Sequence, residues 1–598
     1  MPETLRLFRP TFQGQCYPMP YYPVKKKIIP RRPDQLTGPA FSHLPPLLQR
    51  IYTARRLTAA DELDRSLAKL PSPWLLSGMN AMADQLAEAI LKNRRILVIA
   101  DYDTDGATGC AVAVRGLRLL GASQVSYLVP NRFEYGYGLT PEIVAMAAKS
   151  APDILLTVDN GISSLDGTAA AKACGMRVFI TDHHLPGQEL PDADAIVNPN
   201  CNGDPFPSKY LAGVGVMFYV LSAVRIRLRA AGHFVRTGAE EPNLAQLLDL
   251  VALGTVADVV TLDHVNRILV HQGLQRIRSG QAHAGLLALL DVSGRNSRLI
   301  TAADLGFAVA PRLNAAGRLE DMTLGIECLL TDDADAARAM AVRLDQLNRD
   351  RREIEEQMKL DALAHLEDLD PSLTMKAGLC LFDDSWHQGV VGILASRIKD
   401  RVNRPVIAFA RTDGDEIKGS ARSIPGVHIR DVLSDIATRS PNLLRKFGGH
   451  AMAAGLSLHR DDLAQFTELF EEEVARHLAD LDLDHAIHSD GPLEAHEMAL
   501  EIADLLRQSG PWGQGFPEPL FDGEFDVAQS RIVGERHLKL LLKIPNSDKL
   551  IDGIAFFVDE PGDWLACRRL RAVYRLDINE FRDARSVQLR MEYMEGRD

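Results

Sequence analysis

The feature that most constrains this chain is a rhythm in its first third. Between about residues 75 and 200, short apolar runs (Ile96 to Ala100, Val125 to Val129, Ile154 to Val158, Val178 to Thr181 and Ala195 to Val197) alternate with segments of helical period. Helices inserted between short strands enforce parallel crossovers, so the region predicts a doubly wound parallel α/β sheet. Three of the runs end in ionisable groups. Asp101, Asp103 and Asp105 follow the first, Asp159-Asn160-Gly161 follow the third, and Asp182-His183-His184 follow the fourth. Open α/β sheets bind ligands beyond the carboxyl ends of their strands, so these side chains are predicted to converge.

Asp258, just past the apolar helical run Leu247 to Val256, is a further candidate. At ~4 Å each like-charge pair repels by about 4 kcal/mol at an effective dielectric of 20, so a cation must neutralise such a gathering. Hard oxygen donors with one or two imidazoles and no thiolate suit Mn²⁺ or Mg²⁺. A carboxylate shared by two ions about 3.5–4 Å apart makes an in-line phosphoryl-transfer site. Each motif alone has a plainer reading. Asp-x-Asp-x-Asp-Gly could open a calcium loop, but position 112 is Val where that loop needs Glu. Asp159-Asn160-Gly161 alone is a good β-turn, and Asp182-His183-His184 alone a satisfied strand end. In order on successive strands, the three favour a metal site.

Later segments carry phosphate chemistry. Arg312, Asn314 and Arg318 stand among small residues; their guanidinium groups suit bidentate contact with phosphate oxygens, a buried ion pair being the plainer alternative. Gly448, Gly449 and Gly455 flank His450 in a stretch suited to close approach of backbone to phosphate. Ser420, Arg422 and Ser423 could hold a 5′-terminal phosphate, or make an ordinary turn.

Asp101-Tyr-Asp-Thr-Asp-Gly106, Val158-Asp-Asn-Gly161, Asp182-His-His184 and Gly254-Thr-Val-Ala-Asp258 resemble the four catalytic motifs of the DHH phosphoesterases. Ala310-Pro-Arg-Leu-Asn-Ala-Ala-Gly-Arg318 is similar to the fifth motif of the RecJ branch. Trp386-His-Gln-Gly-Val-Val-Gly392, Gly419-Ser-Ala-Arg-Ser423 and Gly448-Gly-His-Ala-Met-Ala-Ala-Gly455 resemble the companion DHHA1 domain. Pro511-Trp-Gly-Gln-Gly-Phe516 and the β-rich tail resemble that branch's OB-fold domain. The resemblance runs from about residue 45 to 598. It implies two Mn²⁺ or Mg²⁺ ions on Asp103, Asp105, Asp159, His183 and Asp258, with Asp101 close by. Asp105, Asp159 and His184 would be catalytic, His184 facing the scissile phosphate as hydrogen-bond donor or proton carrier. Arg312, Asn314, Arg318, Gln388, Ser420, Arg422, Ser423, Gly448, Gly449 and His450 would meet DNA or phosphate. The implied activity is a single-stranded-DNA-specific 5′-to-3′ exonuclease releasing 5′-mononucleotides in repair and recombination. Single-strand-binding protein and a RecQ-type helicase are the implied partners. The rivals are a phosphodiesterase acting on oligoribonucleotides or other small phosphate substrates, and a non-catalytic replication scaffold.

At 598 residues the chain exceeds what one core supports. The predicted parts are an N-terminal cap (1–70, with helical patterns at Leu47 to Ala54 and Ala60 to Leu70), the DHH domain (71–331), a connecting helix (332–372), the DHHA1 domain (373–479) and an OB-fold barrel (480–598). The last is signalled by period-two alternation at Leu538, Leu540, Leu542 and Ile544 and at Val587, Leu589, Met591 and Tyr593. No run approaches the ~20 apolar residues of a membrane span, and the N-terminus lacks the apolar core of a secretion signal, so a cytoplasmic location is expected. Seven scattered cysteines, never spaced Cys-x-x-Cys, predict reduced thiols. A net charge of −13 runs against nucleic-acid binding unless cations are concentrated locally. Candidates are Lys25 to Lys27 with Arg31 and Arg32 near Tyr21 and Tyr22. In the tail, Lys539, Lys543, Arg568, Arg569, Arg571 and Arg575 lie beside Tyr574 as a charged, stacking groove.

Overall fold

The computed structural model describes residues 27–31, 41–130, 138–368, 376–412, 414–449, 451–478, 486–558, 560–581 and 584–597. Strand β1 (Lys27–Pro30) comes first. Next is a five-stranded sheet of β2 (Ile96–Ala100), β3 (Val125–Leu128), β4 (Ile154–Val158), β5 (Arg177–Thr181) and β6 (Ala195–Val197), in the order β3-β2-β4-β5-β6. Every pairing is parallel, and β2 and β4 are buried throughout, as strands covered on both faces must be. Ile96, Val98 and Ala100 face the helices Met79–Leu91, Thr104–Leu119 and Gly213–Ala230; Leu97 and Ile99 face Pro141–Ala148. From β2 the chain steps outward to β3 and then returns past β2 to β4. The strand order therefore reverses between β2 and β4, and a crevice opens beyond their carboxyl ends.

The helix Ala334–Asp368, 35 residues long, leads out of this domain, packing on Ala284–Val292, Thr323–Leu330 and Ala310–Leu319 and then on Val391–Val402. A second sheet follows: β7 (Leu379–Phe382), β8 (Val406–Arg411), β9 (Glu416–Arg422), β10 (Lys446–Gly449) and β11 (Ala453–His459), ordered β10-β11-β9-β8-β7. Beyond β12 (Ala486–Ser489) the chain closes a barrel of β13 (Phe521–Val533), β14 (His537–Lys543), β15 (Leu550–Ala555), β16 (Arg569–Phe581) and β17 (Ala584–Gly596). The alternation at Leu538, Leu540, Leu542 and Ile544 fills its core.

The cap, the parallel domain and the barrel share one hydrophobic cluster, from Leu48 and Ile51 to Phe521 and Leu540. Tyr52, Trp512 and Phe516 stack at the junction, and Arg267 lies over Phe516 at 4.4 Å. Residues 60 to 70 depart from the expected helix and form 3-10 turns, Ala60–Leu63 and Leu67–Lys69. Their carbonyls are engaged elsewhere: those of Glu62, Asp64 and Arg65 meet Arg267, His264 and Gln272. Of the basic arm, only Lys27 and Arg31 are described, Arg31 pairing with Asp490; Lys25, Lys26, Arg32, Tyr21 and Tyr22 lie outside the described residues. None of the six described cysteines is in a disulfide. Among the described residues, no helix is long and apolar enough to cross a membrane.

Candidate metal centre

The crevice between β2 and β4 collects the acidic loops. Asp103 caps the helix Thr104–Leu119, its Oδ1 accepting from Gly106 N at 3.0 Å, which turns the loop after β2 and directs Asp105 inward. Asp105 is buried against the first turn of Gly213–Ala230: Oδ2 accepts from Gly213 N at 2.6 Å and Oδ1 from Val214 N at 3.0 Å. A helix N-terminus thus holds one carboxylate in place. Asp159, at the end of β4, has φ +63°, a strained conformation for a residue with a Cβ. Gly213 permits it, because a Cβ there would come within 2.5 Å of Asp159 Cβ.

His183 brings the third loop in. Its Nε2 lies 3.0 Å from Asp159 Oδ1, 3.4 Å from Asp258 Oδ2 and 3.9 Å from Asp105 Oδ2. His184 turns to Asp182, whose Oδ1 is 2.7 Å from Nδ1 and whose Oδ2 accepts from Ile162 N. Donor atoms of Asp105, His183 and Asp258 lie within 4.8 Å of one another, as do those of Asp159, His183 and His184, and those of Asp101, Asp103 and Asp159. Asp159 and His183 each belong to two of these groups, and of the two only the carboxylate can be shared between two ions.

The electrostatics are those of a site built for a cation. Burial pushes Asp105 up to about 7, helped by the charge of Asp103 and opposed by the Gly213 and Val214 amides. Burial also raises Asp159 and Asp258 well above the carboxylate range, with neighbouring aspartates adding to it. Burial works against a charged His184, but the hydrogen bond to Asp182 and the surrounding carboxylates outweigh it and lift the ring to about 9. Carboxylate oxygens and imidazole nitrogen, without sulfur, fit a hard or borderline divalent ion such as Mn²⁺ or Mg²⁺.

The DHH family, N-terminal domain, model matches residues 95–255, the DHHA1 domain model 374–476 and the RecJ OB domain model 489–593. The chain is 52% identical to the single-stranded-DNA-specific exonuclease RecJ of Dickeya dadantii, covering 92% of this chain and 96% of that protein. It is 51% identical to RecJ of Escherichia coli, covering 95% and 99%. The chain belongs to the RecJ family. Among solved RecJ structures, the Mn²⁺ complex from Thermus thermophilus aligns with a TM-score of 0.77 at 30% identity, covering 94% of this chain and 77% of that one. Another RecJ bound to manganese aligns at 0.58 with 36% identity, covering 70% and 99%.

The remaining expected site residues of this RecJ-family chain divide. Arg312 is not poised for phosphate. It is buried, with Nε 2.9 Å and Nη2 2.7 Å from Asp345 Oδ1, so the plainer alternative of an ion pair is what the structure places there. Asn314 acts indirectly: its Oδ1 accepts from Thr104 N and Oγ1, both at 2.9 Å, fixing the loop between Asp103 and Asp105. Arg318 reaches across to the DHHA1 domain, donating from Nη1 to Gly389 O at 3.2 Å, beside half-buried Gln388. Ser420 and Arg422 adjoin Gly392, where a Cβ would come 2.8 Å from Ser420 Oγ and 2.7 Å from Arg422 Nη2. Register sets half-buried Ser420 beside Gly455 and Gly455 beside Gly448, so that bare backbone is exposed at Gly455 and Gly448 and runs on to half-buried Gly449. Ser423 is a correction: it is buried and its hydroxyl donates to Val427 O, closing a turn. His450 lies outside the described residues.

The barrel groove also needs correcting. Tyr574 is 0% exposed and offers no stacking face. Lys539, Arg569, Arg571 and Arg575 are paired with Asp552, Glu524, Asp522 and Glu518. Sequence reasoning named Asp182 but gave it no role, whereas it orients His184, and it passed over the Gly213 and Val214 amides, which hold Asp105. Asp182 was legible beside the two histidines; the amides had no signal beyond the small run Ala212-Gly213-Val214-Gly215.

Proposed function

We propose that the chain removes nucleotides from the 5′ end of single-stranded DNA, with Asp101, Asp103, Asp105, Asp159, His183 and Asp258 holding two divalent ions. The carrying observation is Asp159, common to two groups of donors at the switch point of the sheet. When bound, the ions supply charge neutralisation at the phosphodiester and a lowered pKa for water. The chain's own residues do the rest. The Gly213 and Val214 amides and the Asp103 cap keep the carboxylates fixed before substrate arrives. His184, anchored through Nδ1 to Asp182, would present Nε2 to the phosphate or the departing oxygen as a hydrogen-bond donor or proton carrier.

Polarity rests on the surface across the crevice. Gln388, Ser420, Arg422, Gly448 and Gly449 would hold the terminal 5′-phosphate, with Arg318 linking them to the catalytic domain; His450, outside the described residues, belongs to the same proposal by its sequence alone. Beyond the site, a cleft of about 1240 Å³ between the parallel domain and the barrel would take the strand, its walls including Phe307, Phe557 and Arg278. Single-strand-binding protein and a RecQ-type helicase as partners, and a cytoplasmic location, belong to the same proposal. The test is nucleotide release from 5′- and 3′-labelled single strands with and without Mn²⁺. Metal-dependent early release of the 5′ label as mononucleotide is expected; early release of the 3′ label would overturn the polarity.

A further inference from the structure

Phe307 is 81% exposed, although Leu305, Ala308 and Val309 around it are buried. It stands on a single turn of π-helix, Leu305–Val309, and the additional residue in such a turn shifts the register of side chains on either side of it. This turn is tied to both halves of the metal centre. Gly306 packs on Val256, two residues before Asp258; a Cβ there would lie 3.2 Å from Val256 Cγ1. Immediately after the turn, Ala310 O accepts from Thr104 Oγ1 at 3.2 Å, and Asn314 accepts from Thr104 N; Thr104 separates Asp103 from Asp105. The cleft that Phe307 lines takes in Val256, Ala257, Val259 and Val260, on either side of Asp258 in the chain, and continues to Phe556 and Phe557 of the barrel.

We propose that Phe307 is a positioning residue whose ring stacks on a nucleobase of the single strand, immediately 3′ of the scissile phosphate. The inference rests on the exonuclease reading and names a residue that the reading does not require. An aromatic face accepts any base, as an enzyme that degrades every sequence needs. Because the turn is fixed to the loops that carry Asp105 and Asp258, a base stacked on Phe307 is held in register with the carboxylates, and through it the phosphate. Phe307 contributes little to the core, so its truncation leaves the fold standing.

The test uses full-length protein with Mn²⁺ on single-stranded DNA. F307A raises KM by roughly 5- to 100-fold, the range that base–aromatic stacking supports, and F307W recovers most of the loss. Single abasic nucleotides walked from the 5′ end identify one position that costs wild type the same factor and costs F307A nothing. An unchanged KM for F307A, or an abasic walk to which wild type and F307A respond alike, overturns the proposal. Failure of wild type to release nucleotides from any single strand removes the exonuclease reading itself, a result the abasic walk cannot mimic.

Discussion

Two buried carboxylates, Asp159 and Asp490, show how differently one chain treats the same group. Asp490 is completed by its own protein: Arg55 donates to it at 2.9 and 3.2 Å, Arg31 at 3.0 Å and Leu520 N at 3.0 Å. Asp159 has other aspartates and two histidines around it, and a backbone bent into the left-handed region. The first cluster joins the N-terminal segment, the cap helix and the entry to the barrel, with β1 pairing in parallel on β12. The second gathers more carboxylates than its two histidines balance, which suits it to a cation. A carboxylate buried among arginines marks a joint in the fold; one buried among other carboxylates and imidazoles marks a site.

The comparison can be broken most sharply by exchanging the consequences. Asp159→Ala is expected to cost activity by orders of magnitude while leaving metal-free thermal stability about equal or higher, because it removes a carboxyl group whose burial the neighbouring aspartates oppose; nuclease assay and calorimetry report the two. Asp490→Ala should do the reverse, losing roughly 3–5 kcal/mol of stability to chemical denaturation as Arg55 is left buried and unpaired, with activity per folded molecule largely kept. A drop in stability for the first variant, or none for the second, would dissolve the distinction.

A subtler test is pH. Asp105 sits at about 7 in the folded chain against an ordinary 3.8. Between those values the folded protein binds a proton that the unfolded chain has released, so metal-free stability falls as pH rises through that window. The midpoint of thermal unfolding in EDTA should therefore decline from about pH 5 to 7, and added Mn²⁺ should flatten the decline, since a bound cation replaces the proton. The smallest effect belongs to Arg31→Ala. Arg55 alone still makes two bonds to Asp490, so the loss should be about 1 kcal/mol or less, read from denaturant midpoints.

Much of this architecture was legible in the sequence because its signals are periodic. The runs at Ile96, Ile154 and Val178 fix a parallel sheet, and once the sheet is parallel, Asp101 to Asp105, Asp159 and His183 must share one edge. What was hidden depends on partners far along the chain. Nothing near Arg312 announces Asp345 as its partner, and nothing near Ser423 distinguishes a hydroxyl closing a turn from one facing phosphate. Residues 60 to 70 carry a helical pattern, but their carbonyls are taken by the helix His264–Arg278, some two hundred residues away. The barrel's cations read as a groove until the carboxylates on adjacent strands pair with them.

The most direct measurement is a manganese anomalous-difference map of the full-length protein soaked in Mn²⁺. Two peaks in the crevice between β2 and β4, both touching Asp159, are predicted. A map with no peak there, or with manganese bound only at other carboxylates, would contradict the assignment of this crevice as the catalytic centre.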